Sequence, residues 1–265
     1  FVASTHSYIL VFTNQGRVYW LKVYEIPDVG AAGKGKPIVN LVNLERGEKV
    51  ADMMAVQDFE TPAFVVMASR QGWVKKTALS AYSRPRVAGI IACTVEERDE
   101  LIAVSQTSGQ DDLLLCTSKG KAIRFAENQV REMGRVARGV RGVRLRPGDA
   151  VVSMGVVRND SQTILAVTEG GVGKRTPVGG YPRQGRGGQG VINIKTTGRN
   201  GKVVGTFPVE QGAELIIITG KGKIIRLEAD TIRQTTSRGT LGVKLMDLGE
   251  EDTVADVSLV PAEEE

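Results

Sequence analysis

Leu113-Leu114-Leu115-Cys116-Thr117-Ser118-Lys119-Gly120-Lys121-Ala122-Ile123-Arg124-Phe125 returns near the other end of the chain as Leu215-Ile216-Ile217-Ile218-Thr219-Gly220-Lys221-Gly222-Lys223-Ile224-Ile225-Arg226-Leu227. Each stretch is a short apolar run, a glycine-containing turn and a second run that carries basic residues. β-branched residues on either side of such a turn predict a β-hairpin. Three further stretches follow the plan: Tyr8 to Trp20, Phe64 to Thr77 and Thr163 to Thr176. The turn glycines are Gly16, Gly72, Gly120, Gly171 and Gly222, a period of 48 to 56 residues. A second glycine follows each by 17 to 22 residues, at Gly35, Gly89, Gly142, Gly190 and Gly242, with another β-type run after it. Long helical periodicity is absent, and a short helical turn is expected between Ala126 and Met133.

A repeat of about 50 residues with roughly four strands has the dimensions of a propeller blade, and such units bury their faces only against one another. The expected fold is all-β: a propeller-like array of about five four-stranded antiparallel blades over residues 1–260. The repeats run at about 1–60, 61–108, 109–158, 159–210 and 211–260, before an acidic tail at 261–265. The glycine-rich stretches keep phase with the repeat, so they are expected to be loops within blades and not linkers.

At 265 residues and 41% hydrophobic, the chain can build a real core. No apolar run approaches the roughly 18 residues of a membrane helix. The chain opens at Phe1 with no signal-like segment, so it reads as part of a longer soluble, cytoplasmic protein. Cys93 and Cys116 are isolated and expected to be buried and reduced. Seven of the 30 acidic residues lie after position 249, which leaves 35 basic against 23 acidic groups before it. A basic body with an acidic end implies a polyanionic partner, with the acids Glu250 to Asp252 and Glu263 to Glu265 as candidate competitors for it.

Catalytic constellations are missing. His6 is the one histidine, so neither a nucleophile-histidine pair nor a zinc site can be assembled from the usual ligands. Gly185-Arg186-Gly187-Gly188-Gln189-Gly190 has the letters of a dinucleotide loop, but the β-like Val191-Ile192-Asn193-Ile194 follows it where a helix is required. Gly173-Lys174-Arg175 approaches a phosphate loop and lacks its first glycine and its hydroxyl.

Basic residues, in contrast, keep phase. Four positions beyond the turn glycines stand Trp20, Lys76, Arg124, Arg175 and Arg226, reinforced by Lys75 and Lys174. Four positions before the second glycines stand Ala31, Pro85, Arg138, Arg186 and Arg238, with Arg84 and Arg86 beside the proline. With Lys34, Lys36, Lys121, Arg141, Arg183 and Lys223, these cations are the expected phosphate contacts, arranged as a stripe around the array. Aromatic residues are only 5%, which favours duplex over single strands, and no helix is expected to read bases.

These segments resemble the C-terminal, DNA-wrapping domain of DNA gyrase A over essentially the whole chain. The resemblance rests on Gly33-Lys34-Gly35-Lys36-Pro37-Ile38-Val39-Asn40-Leu41, Gly72-Trp73-Val74-Lys75-Lys76-Thr77, Arg138-Gly139-Val140-Arg141-Gly142-Val143-Arg144-Leu145, and Gly173-Lys174-Arg175-Thr176 with Tyr181-Pro182. It implies a β-pinwheel of typically six blades that exchange strands. Its basic rim would wrap double-stranded DNA so that the holoenzyme introduces negative supercoils. It further implies a nucleoid-associated protein, with the rest of gyrase A and the gyrase B protein as partners in a heterotetramer. Cleavage, ATP and Mg would lie elsewhere, with no cofactor in this domain, which is expected to be monomeric when isolated. Five repeats are counted, and the family's box Gln-Arg-Arg-Gly-Gly-Lys-Gly is not seen. The nearest string, Gln184-Gly185-Arg186-Gly187-Gly188-Gln189-Gly190, has Gly185 and Gln189 where the box has cations. It is a working box or a decayed blade loop. Either a first blade precedes Phe1 or the protein lacks it. The corresponding C-terminal domain of topoisomerase IV and a propeller scaffold for acidic proteins are the alternative readings.

Overall fold

A computed structural model describes residues 3–29, 33 and 35–260. The first repeat forms β1 (Tyr8–Thr13), β2 (Arg17–Lys22) and β3 (Val50–Val56), and the second β4 (Phe64–Ser69), β5 (Trp73–Ala78), β6 (Ile90–Ile91) and β7 (Leu101–Thr107). In the third are β8 (Asp112–Thr117), β9 (Lys121–Ala126), β10 (Val140–Arg141) and β11 (Val151–Val157). The fourth has β12 (Thr163–Thr168), β13 (Val172–Pro177), β14 (Val191–Ile192) and β15 (Val203–Val209). The fifth has β16 (Glu214–Thr219), β17 (Ile224–Glu228), β18 (Val243–Lys244) and β19 (Val254–Val260). The only helical segments among the described residues are 3-10 turns, one of them at Glu127–Gln129 in the expected place.

Each of the first four sheets takes three strands from its own repeat and a fourth from the next. The orders are β3-β1-β2-β6, β7-β4-β5-β10, β11-β8-β9-β14 and β15-β12-β13-β18, while the fifth sheet, β17-β16-β19, has three strands among the described residues. Four-stranded blades were expected throughout. The difference follows from strand donation, which gives each repeat's short strand to the blade before it.

Donation also sets the packing. Val130–Val140 belongs to the third repeat by sequence but packs with the first two, forming one compact unit with residues up to Gly109. Gln110–Gln129 and the residues from Arg141 onward form the second unit. In the first unit Leu10, Phe12, Val65, Met67 and Tyr82 share a core. In the second, Leu165, Val167, Leu215 and Ile217 share another, and Leu114, Cys116, Ile164 and Tyr181 a third. Cys93 and Cys116 are buried and unpaired, as expected.

All five turn glycines adopt positive φ, between 68° and 87°. The second glycines divide differently. Gly89, Gly190 and Gly242 have positive φ, but in the third repeat the role falls to Gly139 (φ 110°) and not Gly142. The reason is close approach: a Cβ at Gly139 would lie 2.5 Å from the Val74 carbonyl oxygen, and one at Gly190 2.3 Å from that of Ala122. The doubled Gly-Val-Arg in Gly139 to Arg144 hid which glycine admits the donated strand.

Candidate nucleic-acid interface

Four residues beyond the turn glycine, the side chains of Trp20, Arg124 and Arg175 meet the loop that the next repeat lays across the blade. The Trp20 indole donates to the Tyr82 carbonyl at 2.9 Å. Arg124 is buried, with its guanidinium on the Val178 carbonyl (3.2 Å), on Asp112 (2.6 Å) and on the exposed Asp160 (3.4 Å). Arg175 holds the Ile232 carbonyl at 3.0 Å and Asp230 at 2.6 Å. Lys76 is buried, its ammonium 4.8 Å from the Phe64 ring centre. The backbone repeats the pattern: Met133, Gln184 and Thr235 each donate their N–H to the carbonyl of Lys76, Arg124 or Arg175 at 2.8 Å. Arg226, in the sheet that has no donated strand among the described residues, is 67% exposed and turns to Glu214.

Lys75 and Lys174 stand one position earlier, where a strand points to the opposite face. They cannot reinforce a stripe, and both are among the most deeply buried side chains. Lys75 donates to the carbonyls of Ala92 and Arg135, and Lys174 to those of Ser237 (3.1 Å) and Arg238 (2.5 Å). Burial lowers both ammonium pKa values to about 8, with Arg135 and Arg238 pushing the same way. The phase of these cations is therefore set by loop anchoring. Lys75, Lys76, Lys174, Arg124 and Arg175, expected on the rim, face protein atoms instead. An interior carboxylate or carbonyl needs a donor there, which an ionised glutamate could not supply.

Exposed cations recur in the loops that precede the donated strands. Arg84 and Arg86 lie in the second repeat, Arg131 and the half-buried Arg135 and Arg138 in the third, Arg183 and Arg186 in the fourth, and Arg233 and the half-buried Arg238 in the fifth. Several are oriented. Arg138 stacks 3.5 Å from the Trp73 ring centre and pairs with Glu96. Arg238 donates to the Ile192 carbonyl at 3.3 Å. Arg183, 66% exposed, holds Asp112 at 2.6 Å. Lys36, Arg141 and Lys223 are exposed and Lys121 half-buried, while Lys34 lies outside the described residues.

The Gln184–Gly190 loop is tied down along its length. Gln184 receives the Gln129 side-chain amide on its carbonyl at 3.3 Å, and Gly187 N–H donates to the Gly142 carbonyl at 2.6 Å. Arg186 binds the carbonyls of Gln129 (2.9 Å) and Arg141 (3.1 Å).

One recurrent set was missed from sequence. At the end of the first hairpin strand, where all five registers shift next to this residue, a hydroxyl in three repeats meets an acid two residues before the last strand of the repeat. Thr13 donates to Glu48 at 2.9 Å, Ser69 to Asp99 at 2.6 Å and Thr117 to Asp149 at 2.8 Å. In the fifth repeat Asp252 accepts the Lys221 N–H at 3.1 Å. Asp252, one of the acids expected to compete for a polyanion, is thus also a turn staple; Glu263 to Glu265 lie outside the described residues. The signal was an acid recurring two positions ahead of Val50, Leu101, Val151 and Val254.

Among the described residues no group of three or more His, Cys, Asp or Glu could hold a metal, and no helix is long and apolar enough to cross a membrane. Comparison with known proteins names the architecture. The five repeats match the family described as DNA gyrase C-terminal domain, beta-propeller, at residues 7–57, 63–108, 111–158, 162–210 and 213–261. The A subunit of DNA gyrase from Salmonella typhimurium is 44% identical over 98% of this chain, and that from Staphylococcus aureus 46% over 99%. The chain spans 29% and 30% of those proteins. A crystal structure of the C-terminal domain of DNA topoisomerase IV superposes with a TM-score of 0.88 at 27% identity, over 97% of this chain and 80% of that one. The structure of a DNA gyrase A C-terminal domain gives 0.83 at 24% identity, over 97% and 83%. With five matched repeats in phase with five sheets, the chain belongs to the family of DNA gyrase C-terminal domains, whose fold is a β-propeller.

Proposed function

We propose that this chain binds duplex DNA through its phosphates and bends it, as the wrapping part of a gyrase A protein that enables ATP-dependent negative supercoiling together with gyrase B. The observation that carries the reading is the recurrence of exposed guanidinium groups in the loop before the donated strand in each of repeats two to five. Arginine suits a phosphate geometrically, and repeated loops space the contacts along a backbone without reading bases. The buried cations take a different part: they fix those loops and leave the exposed ones to meet DNA. The Gln184–Gly190 loop is a blade loop in this reading, since its arginine is engaged with carbonyls of its own unit.

Titrating a random duplex of about 40 bp with the chain at increasing salt tests the proposal. Neutralising roughly 6 to 10 phosphates predicts an affinity loss on the order of 10³ to 10⁵ between about 50 and 200 mM salt. A shallow salt dependence, or a tenfold preference for one sequence over its scramble, overturns it. The superposition on the topoisomerase IV domain favours a second reading, in which the chain binds DNA and selects substrates without wrapping them. Restoring the chain to its full-length protein and measuring supercoiling of relaxed plasmid separates the two.

A further inference from the structure

Lys75 and Lys174 are buried cations with no carboxylate among their hydrogen-bond partners. Each reaches instead to two backbone carbonyls, one or both of them in the loop before a donated strand: Arg135 for Lys75, Ser237 and Arg238 for Lys174. The equivalent positions in the first and third repeats, Tyr19 and Ile123, are core residues. A lysine in such a place costs desolvation that tyrosine or isoleucine does not. We propose that Lys75 and Lys174 are positioning residues for DNA binding, each fixing an arginine loop by its carbonyls and gaining protonation when phosphate docks on that loop. This inference rests on the DNA-binding reading above and deepens it.

The electrostatics follow from the groups around each ammonium. Arg135 bears on Lys75 from the loop and Arg138 lines the same crevice. Cys93, whose thiol burial pushes up to about 11, and Tyr82, whose hydroxyl burial also keeps protonated, face it from the blade, with Asp99 behind Cys93. Arg238 bears on Lys174, and the raised Tyr181 hydroxyl lies beside them. In both places burial is the main reason that free protein holds the ammonium poorly, with a pKa of about 8, and the repulsion of Arg135 or Arg238 adds to it. A phosphate on Arg135 or Arg138, or on Arg238, offsets that repulsion and raises the lysine pKa, so the complex binds more protons than its parts. Affinity then falls as pH rises through the lysine titration. If docking raises each pKa by about half a unit, the two together give about tenfold over the full titration, since one unit is a factor of ten.

Calorimetric titration of a random duplex at about pH 8, in buffers of different ionisation enthalpy, counts the protons directly. Net uptake is expected for the unmodified chain, with affinity about sixfold weaker at pH 9 than at pH 7. Lys75→Met with Lys174→Met should bind more weakly at pH 7 and lose the uptake. Every other titratable group is kept in the variant, so the difference isolates the lysines. Binding without proton uptake by the unmodified chain, or uptake that persists in the folded double variant, overturns the proposal and leaves the DNA reading intact. Should the variant not fold, the uptake and pH slope of the unmodified chain still decide. Absence of any DNA binding overturns the functional reading itself.

Discussion

Arg183, in the fourth repeat, donates its Nε to Asp112, in the third, at 2.6 Å, and the same carboxylate oxygen receives Nε of Arg124 at 2.6 Å. Asp112 is almost fully buried and Arg124 nearly so, whereas Arg183 reaches solvent. A single carboxylate therefore balances one interior guanidinium and ties down one at the surface. Asp112→Asn keeps the shape and removes the charge, leaving Arg124 with only the exposed Asp160 as an acidic partner. Breaking a buried pair in this way costs about 3 to 5 kcal/mol. Arg183→Ala removes the exposed member and should cost at most about 1 kcal/mol. Urea midpoints of the two variants check the asymmetry; equal losses would mean that Asp112 does not serve Arg124 first.

Strand donation makes its own prediction at glycine. At Gly190 a methyl group would sit 2.3 Å from the Ala122 carbonyl oxygen, between β14 and β9, with φ at 69°. At Gly187, three residues away, φ is 78° but the nearest atom to a Cβ is 3.5 Å distant. Gly187→Ala meets only the left-handed strain of about 1 to 2 kcal/mol. Gly190→Ala must also move β14 off its pairing of Val191 with Ala122 and Ile192 with Lys121. Amide exchange should speed up at Ala122 and Lys121 in the second variant and not in the first.

The five hairpins were legible because apolar runs and turn glycines are local signals of one kind. The short β-type runs after Gly89, Gly190 and Gly242 were legible as well, but the blade each joins was not, because two residues such as Ile90-Ile91 are too short to show alternation and their partner lies in another repeat. That choice of partner hid the meaning of the phased cations. From sequence, Arg124 and Arg226 occupy one position and look alike; in the structure one is buried under the next repeat's loop and the other is exposed. Charge periodicity reports that a position is constrained, and burial decides whether solvent or backbone imposes the constraint. Lys75 and Lys76 show the same limit, since adjacent strand residues cannot share a face.

Stability should peak near pH 9. Lys75 and Lys174 titrate at about 8 when folded, below the ordinary lysine value, so from pH 8 upward the unfolded chain carries more protons than the folded one. Stability therefore rises through that window. Cys93 and Cys116 act in reverse, because burial pushes their thiols up to about 11 and about 12. Above pH 9 the unfolded thiols lose protons that the folded chain keeps, and stability falls; buried Tyr82 and Tyr181 add to the fall above pH 10. Melting temperatures across this range check the sign. In Lys75→Met with Lys174→Met the rise should vanish and the fall remain, while a monotonic decline in the unmodified chain would contradict the lysine assignment.

The division of cations into loop anchors and phosphate contacts can be read out in one variant series. Arg86 and Arg233 are exposed loop residues, and Arg124 and Arg175 are anchored on protein carbonyls. Each phosphate contact contributes about 0.9 to the slope of log affinity against log salt. Arg86→Ala and Arg233→Ala should each lower that slope by about one unit with little change in melting temperature. Arg124→Ala and Arg175→Ala should lower the melting temperature and leave the slope of the folded protein unchanged. Bending separates wrapping from adhesion in the same series. Curving 20 to 30 bp costs on the order of 1 to 6 kcal/mol, so several loops must contribute together. Combining Arg84→Ala, Arg86→Ala and Arg233→Ala should therefore relax the bend before it abolishes binding, measured by energy transfer between the ends of a duplex of about 40 bp, short against a persistence length of about 150 bp. If the unmodified chain binds such a duplex tightly and its ends stay as far apart as in free DNA, the chain adheres without wrapping, and the topoisomerase IV-like reading takes its place.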